Sequence, residues 1–227
     1  MVTDNIELVR KAISEVCLRC GRQPGEITLL GVSKTVGIEA IREAAQAGLI
    51  DLGENYVQDL VSKRDELADE KIHWHFIGHL QSNKAKYIAD FITLVHSVDS
   101  LRLGEELSKR AERIHRILSV LIEVHTTGET TKSGVKPDQV VELAKGLSQL
   151  PGIHVKGLMT MGPFSDDPED SRPSFQQLAV LRKKIAAEGI ENCSMDHLSM
   201  GMTHDFSVAI EEGATIVRIG TAIFGER

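Results

Sequence analysis

The chain has 227 residues, of which 41% are hydrophobic and 26% charged, and a formal net charge of −7. This composition is typical of a soluble globular domain with a full apolar core and excludes a small scaffold held by disulfides. The negative charge argues against a nucleic-acid partner, and basic residues such as Lys63 and Arg64 are expected on solvated helix faces. No apolar run approaches the ~20 residues of a membrane span. The N-terminus lacks a signal sequence, so we expect a cytoplasmic protein.

Short apolar segments alternate with amphipathic ones after a first helix predicted over 4–20. Strands are predicted at 28–33, 50–54, 73–78, 93–97, 118–125, 154–159, 196–200 and 215–219. Helices are predicted at 38–47, 56–68, 82–89, 101–115, 138–149, 174–188 and 204–212. Such alternation predicts a parallel sheet with right-handed crossovers, and eight strands predict a (β/α)8 barrel. No linker interrupts the pattern, so residues 1–227 are expected to form a single domain.

The last thirty residues predict a phosphate site. The strand ending near Ser199 breaks at Gly201, and Thr203 is a good N-cap for the helix that follows. The last strand ends in Gly220 and Thr221. A helix N-terminus attracts anions, and the loops after strands seven and eight are the usual phosphate site of a barrel.

A lysine follows the first predicted strand. The run TLLGV (28–32) is apolar, and SKT (33–35) comes directly after it. The first and eighth strands of a barrel are neighbours, so Lys34 should lie beside the phosphate site. A partly desolvated lysine loses basicity and becomes a usable amine for Schiff-base chemistry. The alternative is a strand-end lysine whose amine reaches solvent, but the phosphate prediction favours the Schiff base.

Six ordered motifs carry a family resemblance. They are GVSKT (31–35), LGENYVQ (52–58), HFIGHLQSNK (75–84), TKSGV (131–135), GLMTMGP (157–163) and LSMGM with VRIGTAIFG (198–202, 217–225). The chain resembles the pyridoxal phosphate homeostasis proteins, which are similar to the N-terminal barrel of alanine racemase. The resemblance implies a barrel like that of fold type III pyridoxal phosphate (PLP) enzymes. It also implies PLP held as a Schiff base on Lys34, and a role in PLP storage, delivery or buffering without established turnover.

The resemblance also assigns residues and partners. The expected cofactor contacts are Lys34, Asn55, Ser199, Gly201, Thr203, Arg218, Gly220 and Thr221, with no metal. Asn55 would contact a ring substituent or orient Lys34, although it is also a candidate N-cap of the next helix. Lys132, in the TKSG motif, would be a second amine that accepts PLP from Lys34, or simply a solvated loop lysine. Apo PLP-dependent enzymes are candidate recipients, and the protein is expected to be a monomer.

Arg218 bears on the choice between carrier and catalyst. In the alanine racemase barrel the matching arginine faces the pyridine nitrogen, and a neighbouring guanidinium disfavours a protonated ring. An unprotonated ring is a poor electron sink. A racemase also needs a second base, which in alanine racemase is a tyrosine from another domain. Here Tyr56 and Tyr87 are the only tyrosines, and Tyr87 is expected in the core. A low-efficiency racemase is therefore the alternative to the carrier.

Histidines suggest a third possibility, a metal-dependent hydrolase. His73 and His75 stand two apart on one predicted strand, and His79, His125 and His197 lie near other strand ends. Metal ligands would have to converge with a carboxylate. His73 opens its strand, at the end away from the expected site, so structural histidines are the preferred interpretation.

Overall fold

The computed structural model describes residues 1–127 and 133–225, and its eight parallel strands close into one barrel in sequence order. The strands are β1 Thr28–Val32, β2 Asp51–Glu54, β3 His73–Phe76, β4 Leu94–Val98, β5 Leu118–Glu123, β6 Ile153–Met159, β7 Cys193–Met202 and β8 Ile216–Ile219. The helices are α1 Val2–Arg19, α2 Ile38–Gln46, α3 Val57–Glu66, α4 Leu101–Arg113, α5 Val140–Ser148, α6 Arg172–Ala187, α7 Phe206–Glu211 and α8 Thr221–Phe224. The predicted barrel and its extra N-terminal helix are confirmed.

Two elements differ from the predictions. The segment predicted as a helix over 82–89 is a 3₁₀ segment, Ser82–Tyr87, which advances further per residue than an α-helix and so spans the gap to β4 with few residues. The short α8 was not predicted, because four residues are too few to show a helical period. Tyr87 is 48% exposed, so its predicted place in the core is wrong.

The apolar core has two parts. The larger fills the space between the strands and the outer helices, with Phe76 and Phe175 among its largest buried side chains. The smaller lies inside the barrel and consists of Leu30, Leu94, Leu121, Met159 and Ile216. Inward-facing residues of alternate strands fill a barrel in layers, so this plug closes the interior.

Helix α1 covers the place where the barrel closes. β1 pairs with β8 over four registered positions, from Thr28 with Ile216 to Gly31 with Ile219. α1 packs against α2, α7 and α8. Its Asn5 Nδ2 donates a hydrogen bond to the Ile223 carbonyl at 2.9 Å, so the first helix holds the last one in place. Within the two described ranges, no helix is both long and apolar enough to cross a membrane.

Candidate functional site

Lys34 lies in a strained turn at the carboxyl end of β1. Its side chain is half-buried, and its amine makes no hydrogen bond or ion pair with the described residues. The next residue, Thr35, has φ +61°, a left-handed conformation that is rare for a β-branched residue. Its hydroxyl donates to the Lys34 carbonyl at 2.6 Å. Residues held in such conformations concentrate at functional sites, where the surrounding structure enforces them.

A buried ion pair anchors this turn from behind. We call Ser33, Glu54 and Lys63 the Glu54 cluster. Lys63 Nζ donates to Glu54 Oε1 at 2.6 Å and to the Ser33 carbonyl at 2.7 Å, and Ser33 Oγ donates to the same Glu54 oxygen at 2.8 Å. Glu54 and Ser33 are fully buried and Lys63 is 9% exposed, so the prediction of Lys63 on a solvated face is wrong. The cluster fixes the residue immediately before Lys34.

Asn55 directly follows β2 and is half-buried. Val32 of β1 pairs with Gly53 of β2. The same register carried two residues further places Asn55 beside Lys34. Gly78 holds it closely, since a Cβ at position 78 would lie 2.2 Å from the Asn55 carbonyl oxygen. Helix α3 begins at Val57 with Tyr56 in the N-cap position, so the alternative of Asn55 as N-cap is wrong.

Arg218 lies in β8 and is only 5% exposed. Its Nη1 donates to Ser199 Oγ at 2.8 Å and its Nη2 donates to the Thr160 carbonyl at 2.9 Å. Burial lowers the pKa of Arg218 to about 10, while Asp205 and Glu123 act in the opposite direction, so the guanidinium is charged at neutral pH. The two hydrogen bonds use two of its five N–H donors and leave the others available.

The turns after β7 and β8 bring two hydroxyls together. Thr221 Oγ1 donates to Thr203 Oγ1 at 3.2 Å. Gly201, in the first turn, has φ +88°, and a Cβ there would lie 2.5 Å from the Ala209 Cβ, so the turn requires glycine. Gly220 immediately precedes α8, whose first amides have no intrahelical acceptor.

The predicted N-cap role of Thr203 is wrong. Helix α7 begins at Phe206, and Asp205 occupies the position before it. The buried Asp205 carboxylate accepts a hydrogen bond from the Met202 amide at 2.7 Å and from Ser171 Oγ at 2.7 Å. Asp205 therefore takes over the turn and leaves the Thr203 hydroxyl directed to Thr221.

A chain of polar side chains runs through the barrel and ends at Arg218. We call Asp51, His75, His96, Ser199 and Arg218 the histidine relay. His75 Nε2 lies 3.3 Å from Asp51 Oδ1, His75 Nδ1 lies 2.9 Å from His96 Nε2, and His96 Nδ1 lies 2.9 Å from Ser199 Oγ. The Ser199 hydroxyl, expected at the phosphate, is thus engaged with Arg218 and His96, and Ser199 has no exposed surface.

His73 and His75 both contact the Asp51 carboxylate, but the described histidines of the metal hypothesis do not form a metal site. Both ring nitrogens of His75 are hydrogen-bonded inside the protein. His73 is exposed at the start of β3, away from the carboxyl ends of the strands. His79 lies 3.8 Å from Asp99. Among residues 1–127 and 133–225 no group of three histidines, cysteines or carboxylates is placed to hold a metal ion.

Two contributions to the site were missed from the sequence. His96 sits within the apolar run LVHSV, where a single histidine gives no periodic signal. The role of Glu54 depends on Lys63, nine positions away on the next helix. Lys132, the predicted second amine, lies outside the described residues.

The sequence model of the alanine racemase N-terminal domain matches residues 18–227. A protein of Aquifex aeolicus named pyridoxal phosphate homeostasis protein is 48% identical over 224 residues, covering 99% of this chain and 97% of the relative. The chain belongs to the pyridoxal phosphate homeostasis protein family. A member from Escherichia coli K12 with the same name is 40% identical, covering 100% of this chain and 97% of its own.

Solved structures agree with this family. PipY of Synechococcus elongatus, solved with PLP bound, has a TM-score of 0.87 and 31% identity, covering 99% of this chain and 100% of its own. An unknown protein from Bifidobacterium adolescentis has a TM-score of 0.93 and 37% identity, covering 98% and 94%. Alanine racemase of Clostridium difficile, at 15% identity and a TM-score of 0.77, shares the fold over 57% of its length.

Proposed function

We propose that this protein binds PLP on Lys34 and serves its storage, delivery or buffering. The observation that carries the proposal is the Lys34 amine, which has no polar partner among the described residues and stands in a strained turn at the β1 end, beside β8. Bound PLP supplies an aldehyde, which condenses with a primary amine with loss of water.

The other groups fit the rest of the cofactor. Arg218 is a buried cation with free N–H donors, suited to an unprotonated ring nitrogen. The Thr203 and Thr221 hydroxyls and the first amides of α8, after Gly220, supply neutral donors for a phosphate. Asn55 stands beside Lys34, where its amide can orient the amine or contact a ring substituent.

The first experiment tests the amine. Purified protein loaded with PLP should show the visible absorbance of an amine-bound cofactor, and borohydride should fix the cofactor on Lys34. Lys34→Ala should lose both signals. Lys84→Ala, which removes a half-buried lysine next to β3, is the matched control and should keep them. An adduct that maps to Lys84 in the wild type would overturn the assignment.

The second experiment tests the phosphate contacts. Thr203→Ala and Thr221→Ala should each weaken PLP retention by about 1–2 kcal/mol, the value of one hydrogen bond to a charged group. Pyridoxal, which lacks the phosphate, should bind far more weakly than PLP. Equal affinity for the two compounds would contradict the phosphate site.

In this proposal the protein works in the cytoplasm as a single-domain monomer and delivers PLP to apo-enzymes. The rate of transfer to an apo-enzyme tests the role of Lys132, since Lys132→Ala at equal PLP loading should slow transfer if that amine accepts the cofactor. The alternative, a weak racemase, predicts loss of the α-proton of L-alanine in deuterated water. Both tyrosines that could act as a second base are exposed, Tyr56 by 64% and Tyr87 by 48%, so we expect no exchange.

A further inference from the structure

The histidine relay joins two opposite ends of the barrel. Arg218 stands near the carboxyl ends of the strands, where the proposed cofactor site lies. Asp51 is the first residue of β2 and borders a cavity of about 490 Å³ at the other end, together with Arg10 and Thr28. His96 and Ser199 have no exposed surface and His75 is 4% exposed, so the intervening groups are shielded from solvent.

The charged groups at the two ends of the histidine relay, Asp51 and Arg218, fix the direction of each hydrogen bond between them. Asp51 accepts, because an ionised carboxylate has no proton to donate. Burial acts to raise the pKa of the Asp51 carboxyl, but the contacts with His75 and His73 lower it below its ordinary value. His75 Nε2–H therefore donates to Asp51, and its Nδ1 is left as an acceptor. Arg218 can only donate, so the Ser199 oxygen accepts from it.

The middle of the chain follows from these ends. His96 Nε2–H donates to His75 Nδ1, and His96 Nδ1 accepts the hydroxyl proton of Ser199. Burial, followed by the charges of His75, Arg218 and His197, lowers the pKa of His96 well below its ordinary value. In this arrangement each of the two imidazoles carries a proton on Nε2 and accepts a hydrogen bond on Nδ1. All donors point from Arg218 toward Asp51, and each hydrogen bond between neighbouring members of the relay has one donor and one acceptor.

A buried polar chain of this kind is stable only while every link keeps its partner. A buried group left unpaired costs about 1–3 kcal/mol, and an apolar core of the same shape would avoid that cost. The neighbouring interior is apolar, with Leu94 and Leu121 on the adjacent strands. The presence of a polar chain in this apolar interior indicates a function, and the group at its cofactor-site end is the Arg218 cation.

We propose that Asp51, His75 and His96 are positioning residues for the cofactor. Acting through Ser199, they hold the Arg218 guanidinium in one orientation, from which its remaining N–H donors would be available to the ring nitrogen of a bound cofactor. Because the Ser199 proton is committed to His96, the serine oxygen can only accept from Arg218, and the guanidinium cannot rotate without breaking that bond. This inference rests on the proposed PLP function for its consequence, but not for the directions of the hydrogen bonds.

The first test needs no cofactor. Nitrogen-15 NMR of histidine-labelled, cofactor-free protein distinguishes the two neutral tautomers from each other and from the imidazolium. We expect His75 and His96 both to be neutral and protonated on Nε2. A proton on Nδ1 of either ring, or a cationic ring at neutral pH, would overturn the relay even if PLP binds as proposed.

The second test uses paired variants at the Asp51 carboxylate. His75 and His73 both contact Asp51 Oδ1, at 3.3 and 3.1 Å, but only His75 leads on to Arg218, and the His73 side chain is 55% exposed. His75→Gln and Asp51→Asn should weaken PLP retention about tenfold, the equivalent of one misdirected hydrogen bond, and shift the visible absorbance of the bound cofactor. His73→Gln should change neither.

The outcomes separate the two proposals. Failure of the Lys34→Ala experiment contradicts PLP binding on Lys34, whereas the tautomer measurement stands independently of it. If His75→Gln and Asp51→Asn retain the wild-type absorbance and PLP affinity, the relay does not position Arg218. Equal losses in His73→Gln would likewise overturn the positioning role, because they would show an effect of the Asp51 carboxylate alone.

Discussion

The barrel contains two buried polar clusters that hold two proposed cofactor residues, Lys34 and Arg218, by different physics. The Glu54 cluster fixes the Lys34 turn with a direct ion pair of 2.6 Å between Lys63 and Glu54. The histidine relay contacts Arg218 through a serine and two imidazoles placed between this cation and a distant carboxylate. A close ion pair ties stability to two charges, whereas the relay distributes its hydrogen bonds over five residues. Removing a charge from the first should therefore cost more than removing a ring from the second.

Lys63→Met should have the largest effect. It leaves the Glu54 carboxylate fully buried without its counter-ion, which costs about 3–5 kcal/mol of unfolding free energy. Urea unfolding measures this loss. Lys183→Met, at an exposed lysine of α6, is the control and should stay within about 0.5 kcal/mol of wild type. Adding Glu54→Gln to Lys63→Met should restore part of the stability, and a double variant as unstable as the single one would contradict the ion-pair explanation.

The buried carboxyl of Glu123 makes the stability of the folded protein depend on pH. Burial and the nearby Asp99 raise the pKa of Glu123 from 4.5 to about 7, although Arg218 acts against them. The folded protein therefore binds more protons than the unfolded chain between these values, and stability falls as pH rises through that range. Glu123→Gln removes this dependence. The stability of the cofactor-free variant relative to the wild type should therefore be roughly 3 kcal/mol greater at pH 8 than at pH 4. Denaturation at the two pH values, compared between variant and wild type, measures it. A parallel pH dependence in both proteins would refute it.

His96→Leu replaces the imidazole in the middle of the relay with an apolar side chain of similar size. His75 Nδ1 and the Ser199 hydroxyl would each lose a partner, and we expect a loss of about 2 kcal/mol. This loss should be smaller than that of Lys63→Met, because no buried charge is orphaned. Unfolding of both variants under one set of conditions makes the comparison, and a reversed order would show that the relay, not the ion pair, dominates stability.

Gly78→Ala should have the most local effect on the site. The new Cβ would meet the Asn55 backbone, so Asn55 must shift, at a cost of about 1–3 kcal/mol. Gly25→Ala is the control, because a Cβ there meets nothing within 4 Å. We expect Gly78→Ala to weaken PLP retention and Gly25→Ala to leave it unchanged. Wild-type PLP retention in Gly78→Ala would show that the position of Asn55 does not matter for the cofactor.

The sequence was sufficient for the barrel because eight apolar strands alternate with amphipathic helices over the whole chain. It also placed Lys34 beside β8, since barrel closure makes the first and last strands neighbours. The polar clusters were not predictable in the same way. Lys63 lies on a helix with polar neighbours, and only the fold shows that its amine turns inward to Glu54.

The prediction of Thr203 as the N-cap of α7 was wrong for a related reason. Thr203 and Asp205 are both good capping residues, and sequence preference alone does not choose between them. The choice depends on Ser171, which reaches Asp205 from the start of α6, 34 positions away. Local patterns predict elements well, whereas the partners of single polar side chains depend on contacts that are distant in the chain.

The contact between α1 and α8 sets a time order for cofactor loading. Asn5 and Ile223 are separated by 218 positions, and their hydrogen bond helps to hold the helix that begins with Thr221. The turn that carries Thr221 therefore cannot be completed before nearly all of these residues have been synthesised. Under the proposed function, a nascent chain that already displays Lys34 on the ribosome should not retain PLP before the segment around Thr221 has emerged.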